Sequence, residues 1–192
     1  MTTNVVTLPP PAVATNKLGM WLFLASEVMF FTGLIGAYII LRFGSPTWPA
    51  PGEFLVIPLG ALNTFILIGS SMTMVMAFKT ADQDQRAKTS RYLLWTVVLG
   101  AAFLGIKSYE YSTKFAHGYF PSTNLYWTCY FVLTGFHGLH VLGGVIFNGV
   151  LWLRALRGRI TPQNSYVVEL AGLYWHFVDI VWIFLFPIVY LM

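Results

Sequence analysis

The chain has 192 residues, of which 57% are hydrophobic, 17% aromatic and only 9% charged. A soluble domain carries about 25% charged residues, and 7 acids with 11 bases cannot give a globule of this size a polar surface. A water-soluble enzyme, a disordered chain and a nucleic-acid module are therefore excluded. The single cysteine, Cys129, excludes an internal disulfide and a multi-thiolate metal site, and a mean hydropathy of +0.68 points to the membrane.

Residues 1–17 read as a polar tail with three consecutive prolines, Pro9, Pro10 and Pro11. Nothing positive precedes Lys17, and the apolar run that follows is too long for a secretory signal. Residues 18–192 read as one membrane domain of five apolar runs. The first covers about 18–41, with Glu27 as its one charge. The second covers about 54–78 and has none. The third, about 92–113, carries Lys107 and Glu110 near its end. The fourth, about 125–153, holds His137 and His140, and the fifth, about 167–192, holds Glu169, His176 and Asp179. Each is long enough to cross a hydrocarbon core, which takes roughly 20 helical residues. Backbone groups in lipid must be paired within the segment, so the runs are helices. Barrel strands would be about ten residues long and alternate in polarity. The fold expected is all-α, a polytopic bundle of five transmembrane helices joined by short loops rich in Pro, Gly and charge.

The bases set the expected orientation. Lys17, then Lys79, Arg86, Lys88 and Arg91, then Arg154, Arg157 and Arg159 fall on one side, against Arg42 and Lys114 on the other. Eight against two places the N-terminus inside and, after five crossings, the C-terminus outside. The same asymmetry accounts for a pI near 9.3, so no nucleic-acid partner is needed.

Glu27 lies ten residues beyond Lys17, about 15 Å along the helix. His137, His140, His176 and Asp179 reach a similar depth. Ionisable groups there are costly and face protein or water with partners. Glu169, Gly172, His176 and Asp179 step by three and four, His140, Gly144 and Asn148 step by four, and Gly60, Asn63 and Ser70 share a side of the second run. These stripes read as internal seams of the bundle. Glu27 is expected as a hydrogen-bonded carboxyl, or alternatively as a proton-relay group. His137 and His140 are expected at a helix–helix contact, with haem or metal ligation as the sharper alternative, and His176 is expected to hydrogen-bond Asp179. Lys107 and Glu110 are expected to pair with one end snorkelling outward. Trp48, Tyr126 and Trp127 read as interfacial anchors.

Three stretches carry a resemblance: Ser26-Glu27-Val28-Met29-Phe30-Phe31, then Thr134-Gly135-Phe136-His137-Gly138-Leu139-His140-Val141, then Tyr174-Trp175-His176-Phe177-Val178-Asp179-Ile180-Val181-Trp182. In their order and spacing the chain resembles subunit III of the haem-copper terminal oxidases, in a short five-helix bacterial form that matches the last five of the long form's seven helices. The resemblance implies a non-catalytic subunit of a proton-pumping cytochrome c oxidase that reduces oxygen to water in a respiratory chain. The chain would hold no redox centre and no metal. It would dock on subunit I, with subunit II and other subunits nearby, and the haems and copper would belong to those partners. It would sit in a bacterial plasma membrane, support sustained proton uptake and bind structural phospholipid. Glu27 takes the position of the family's carbodiimide-reactive carboxyl. Phe23, Glu27, His140 and Arg154 are the lipid-contact candidates, and Glu27, His137, His140, His176 and Asp179 the buried polar cluster. The missing arm of two helices leaves the family's lipid cleft in question. The alternatives are the equivalent subunit of a quinol oxidase, a nitric-oxide-reductase-associated relative and, from another class, a stand-alone b-type haem protein using two of His137, His140 and His176.

Overall fold

The computed structural model describes residues 11–46, 48, 49, 52 and 55–191. Among them are five helices long and apolar enough to cross a membrane, and no strand. They are α1 (Pro11–Gly44), α2 (Ile57–Asp82), α3 (Arg86–Ala116), α4 (Leu125–Leu156) and α5 (Tyr166–Phe186), with a wider π-type turn over Pro187–Leu191. The order and number match the apolar runs; the ends do not. Helix α1 begins at Pro11, so the tail expected over 1–17 is helical from there. Proline at the start of a helix sacrifices no internal hydrogen bond. The charged loop expected over 79–91 shrinks to Gln83–Gln85. Apolar runs mark only the part of a helix that crosses lipid, while Lys, Arg and Ala prolong it into water. Residues 1–10, the expected start of the second run at Phe54 and the expected end of the fifth at Met192 lie outside the described residues.

Packing follows one period. The buried positions of α2 are Gly60, Asn63, Leu67, Ser70, Met74, Ala77 and Ala81, with Thr80 beside the last. Those of α3 are Thr89, Leu93, Thr96, Gly100, Phe103, Lys107, Glu110 and Lys114. A row through α4 runs Tyr130, Thr134, His137, Val141, Gly144, Asn148, Leu151 and Ala155. All three alternate steps of three and four, the repeat that lets neighbouring helices interlock along their length at a small crossing angle. Helix α5 packs on α1, α2 and α4 and is the most enclosed, with 50% of its apolar window buried against 17% for α1. Helix α1 is peripheral: its buried apolar residues are Leu24, Phe31 and Tyr38, one every seven positions.

Trp175 is where α2, α3, α4 and α5 meet. Its indole nitrogen donates to Ser70 Oγ at 3.0 Å. A Cβ at Gly100 would stand 2.7 Å from its ring, and one at Gly144 2.6 Å. Small residues at these two positions let the helices close around a large side chain.

Candidate functional site

The ionisable groups that the sequence places within the membrane-spanning helices fall, among the described residues, into three separate places. The first joins α1 to α4. Glu27 Oε2 lies 3.0 Å from His140 Nε2, with the two side chains 18% and 19% exposed. His140 Nδ1 lies 2.7 Å from the carbonyl oxygen of Phe136, one turn earlier on the same helix. A carbonyl only accepts, so Nδ1 is the donor there. Nε2 and the carboxyl group must then share one proton, either as imidazolium with carboxylate or as imidazole with carboxylic acid. The pair is neutral as a whole in both forms, which limits its cost at this depth. Around it, Phe31 packs on the His140 ring at 5.0 Å and Phe23 on Tyr174 at 6.1 Å. The Tyr174 hydroxyl donates to the His140 carbonyl at 2.9 Å. Phe23, Glu27 and His140 are thus brought together. Arg154 is not among them: it sits exposed in the last turn of α4, fourteen residues and about 21 Å further along that helix. At the basic end of the bundle, Lys17 pairs with Glu169 at 2.7 Å and ties α1 to the start of α5.

The second place is the α2–α5 seam, and it corrects the expected His176–Asp179 hydrogen bond. His176 Nδ1 instead shares a hydrogen bond of 2.6 Å with the Ser71 hydroxyl. Among the described residues both Asp179 oxygens are buried without a well-formed hydrogen bond, and the nearby Ser71 hydroxyl is engaged by His176. An i, i+3 spacing puts two side chains on one face, but the facing helix decides which is met. On its other side His176 lines an apolar groove of about 460 Å³ between α1 and α5, walled by Leu24, Phe31, Ile35, Phe177 and Ile180.

The third place lies toward the opposite end from Lys17. Lys107 and Glu110 pair at 3.0 Å, as expected, but no end snorkels: their side chains are 8% and 4% exposed. Lys107 Nζ also donates to Tyr190 Oη at 2.7 Å and Tyr130 Oη at 3.3 Å. Both phenols in turn donate to Glu110, at 2.8 Å and 2.9 Å to Oε1. Trp182 lies under the ammonium at 5.3 Å, and His137 stacks on Trp182 at 5.2 Å. His137 is a helix–helix contact as expected, but one made through rings: Phe103 meets it edge-on at 5.7 Å, and among the described residues neither of its nitrogens has a hydrogen-bond partner. The single cluster expected of Glu27, His137, His140, His176 and Asp179 is therefore divided. Shared depth does not imply shared azimuth on helices that face different neighbours.

Sequence reasoning missed Tyr130 and Tyr190. The signal for Tyr190 was Pro187, which lacks an N–H and cannot continue regular α-helical bonding; the wider turn after it buries Val189 and Tyr190. Tyr126 and Trp127, expected as interfacial anchors, are 1% and 2% exposed, because Trp127 stacks on Tyr119 at 4.7 Å and meets Tyr130 edge-on, while Tyr126 packs edge-on against Trp48 and Trp127.

Comparison with known proteins matches the sequence to one family. The sequence profile of cytochrome c oxidase subunit III matches residues 10–192. A cytochrome c oxidase subunit 3 from Thermostichus vulcanus is 38% identical over 176 residues, covering 91% of this chain and 86% of the relative. One from Alkalihalophilus pseudofirmus is 38% identical over 182 residues, covering 92% and 87%. A quinol oxidase subunit 3 from Bacillus subtilis is 36% identical over 181 residues, again covering 92% and 87%.

Proposed function

The chain belongs to the cytochrome c oxidase subunit III family, and from that premise we propose that it is the accessory third subunit of a haem-copper terminal oxidase. The observation that carries this reading is the match over residues 10–192, together with the Glu27–His140 pair bridging two of the resembling stretches. In this reading the chain assembles with the subunit that reduces oxygen, in a bacterial plasma membrane, as the sources of the relatives suggest. Its basic end faces the cytoplasm. Cytochrome c is the proposed electron donor, following the Thermostichus and Alkalihalophilus relatives. The Bacillus subtilis relative supports quinol as the second reading, and a dicopper motif in the neighbouring subunit II decides for cytochrome c.

The haems and copper are assigned to the partner subunits. Support comes from the commitments of the histidines. Both His140 nitrogens are engaged, His176 Nδ1 is held by Ser71, and His137 is enclosed by aromatic rings on α1, α3 and α5. Among the described residues no three His, Cys, Asp or Glu side chains converge. The groove between α1 and α5 is a suitable seat for the acyl chain of a structural phospholipid.

Affinity purification through a tag on this chain tests the reading. Haem absorbance and copper should co-purify with it in fixed proportion. The same chain expressed alone should be colourless. A tagged chain that runs without a pigmented partner, or one that binds haem by itself, would overturn it.

A further inference from the structure

The end of the bundle that carries the α1–α2 link holds polar groups that the oxidase reading does not use. Tyr38 on α1 and Tyr126 on α4 are each 1% exposed. Trp48 stands between them, edge-on to Tyr38 at 5.5 Å and to Tyr126 at 5.7 Å. The hydroxyls of both tyrosines, Nε1 of Trp48 and Nη1 of Arg42 are all buried, and among the described residues none makes a well-formed hydrogen bond. Arg42 and Trp48 both come within reach of a long, poorly formed hydrogen bond to the Tyr38 hydroxyl, whereas Tyr38 and Arg42 act on the Tyr126 hydroxyl only electrostatically. Beside them opens a pocket of about 400 Å³, walled by Trp48 and Tyr126 with Ser45, Pro49, Asn124 and Leu125.

Native interiors seldom leave one such group unpaired, and four in one place call for a missing acceptor. The chemistry of the four indicates which. Guanidinium and indole N–H groups only donate, and a phenol can turn to donate. One fixed positive charge is present. Among the described residues the carboxylate that reaches Tyr126 electrostatically is Glu110, which is already occupied by Lys107, Tyr130 and Tyr190. A water molecule brings as many hydrogens as lone pairs and no charge, so it complements this spot poorly. An oxyanion brings several acceptor oxygens and the missing negative charge. We propose that Tyr38, Arg42, Trp48 and Tyr126 form a binding site for one phosphate-class oxyanion, which enters through the adjoining pocket. Free phosphate and the phosphodiester of a phospholipid share this chemistry. The site is independent of the oxidase reading, since none of its four residues belongs to the Glu27, His176 or Lys107 groups.

The test uses the full chain in its purified complex. Thermal unfolding is followed while sodium phosphate or, separately, short-chain phosphatidylglycerol is added, with sodium chloride at matched ionic strength as control. The expected result is a saturable rise in the unfolding temperature. Its half-saturating concentration should increase at least tenfold in Arg42→Gln and severalfold in Trp48→Phe, which keeps the ring and removes the N–H. A rise with lipid alone assigns the headgroup as the source, and a rise with phosphate alone assigns the free anion. Tyr126→Phe guards against variants that merely fold badly. It should cost stability when the ligand is bound and cost nothing when it is washed out. No response beyond chloride, with Tyr126→Phe as stable as the parent throughout, means that water alone fills the spot and overturns the proposal. A response that survives both Arg42→Gln and Trp48→Phe overturns it as well. So does Glu53→Gln, if it mimics Arg42→Gln and adds nothing to it, because the acceptor is then a side chain of the same protein.

Discussion

Lys107 shows what a buried charge requires in lipid. An ammonium has three hydrogens to place, and here Glu110, Tyr130 and Tyr190 take them. The two phenols pass their own hydrogens to Glu110, so the knot closes on itself. Removing one member leaves the others buried and uncompensated, at a cost of about 3–5 kcal/mol, whereas replacing an ion pair by apolar groups of similar volume can be nearly neutral. Glu110→Gln and Lys107→Met should each lower the unfolding temperature of the purified complex markedly, and the double variant should lose less than their sum. Strict additivity in that double-mutant cycle would show that the two side chains act independently. The Glu27–His140 pair makes a different demand, because its shared proton can be supplied by another donor. The amide of Glu27→Gln can donate to a neutral His140 Nε2, so this variant should keep stability, haem spectra and initial oxygen consumption close to the parent. Glu27→Ala leaves the imidazole nitrogen unpaired and should cost about 1–3 kcal/mol, read in the same melt. Immediate loss of oxygen reduction in Glu27→Gln would place the carboxyl in the reaction path and remove the accessory role.

At the level of the helices, the three–four repeat turns five apolar rods into one object, and its tightest points are glycines. Gly144→Ala puts a methyl group 2.6 Å from Trp175. Overpacking of this kind costs about 1–3 kcal/mol. Gly149 lies on the same helix with nothing within 4 Å of its missing Cβ, and alanine there gains helix propensity worth up to about 1 kcal/mol. Melts of the two variants should therefore move in opposite directions; equal behaviour would mean that the helices do not close on Trp175. These same helices show how far the sequence can be read. Number, order and chemistry were legible because apolar runs of this length have only one conformation in lipid, and the stripes through Gly60, Asn63 and Ser70 and through Gly144 and Asn148 were legible because burial repeats along a helix face. Partners were not. Glu27 meets His140 across 113 positions and Tyr190 meets Glu110 across 80, and such pairings depend on which faces oppose one another once α5 is surrounded. Nothing in the local spacing of His176 and Asp179 reveals that Ser71 takes the histidine first. Helix ends were also hidden, because Arg86, Lys88 and Arg91 are too polar to register as membrane yet, like Ala87 between them, are good helix formers.

For the whole molecule, the distribution of charge makes a claim about direction. The α2–α3 turn, the α4–α5 link and the start of α1 lie at one end of the bundle and carry Lys17, Arg86, Arg157 and Arg159 among other bases. The α3–α4 connection lies at the other end and carries none after Lys114. Basic loops are retained on the cytoplasmic side during insertion, so the basic end should be inside. The chain is suited to a direct test because its one cysteine, Cys129, is buried and offers an unreactive background. Ser122→Cys places a thiol in the exposed α3–α4 connection, and Gln83→Cys places one in the exposed α2–α3 turn. In intact cells a membrane-impermeant maleimide should label Ser122→Cys and spare Gln83→Cys, and after permeabilisation both should label equally. The reverse pattern would turn the bundle over. It would also carry Lys107 and Tyr190 to the cytoplasmic half and leave the asymmetry of the bases without an insertion rule behind it.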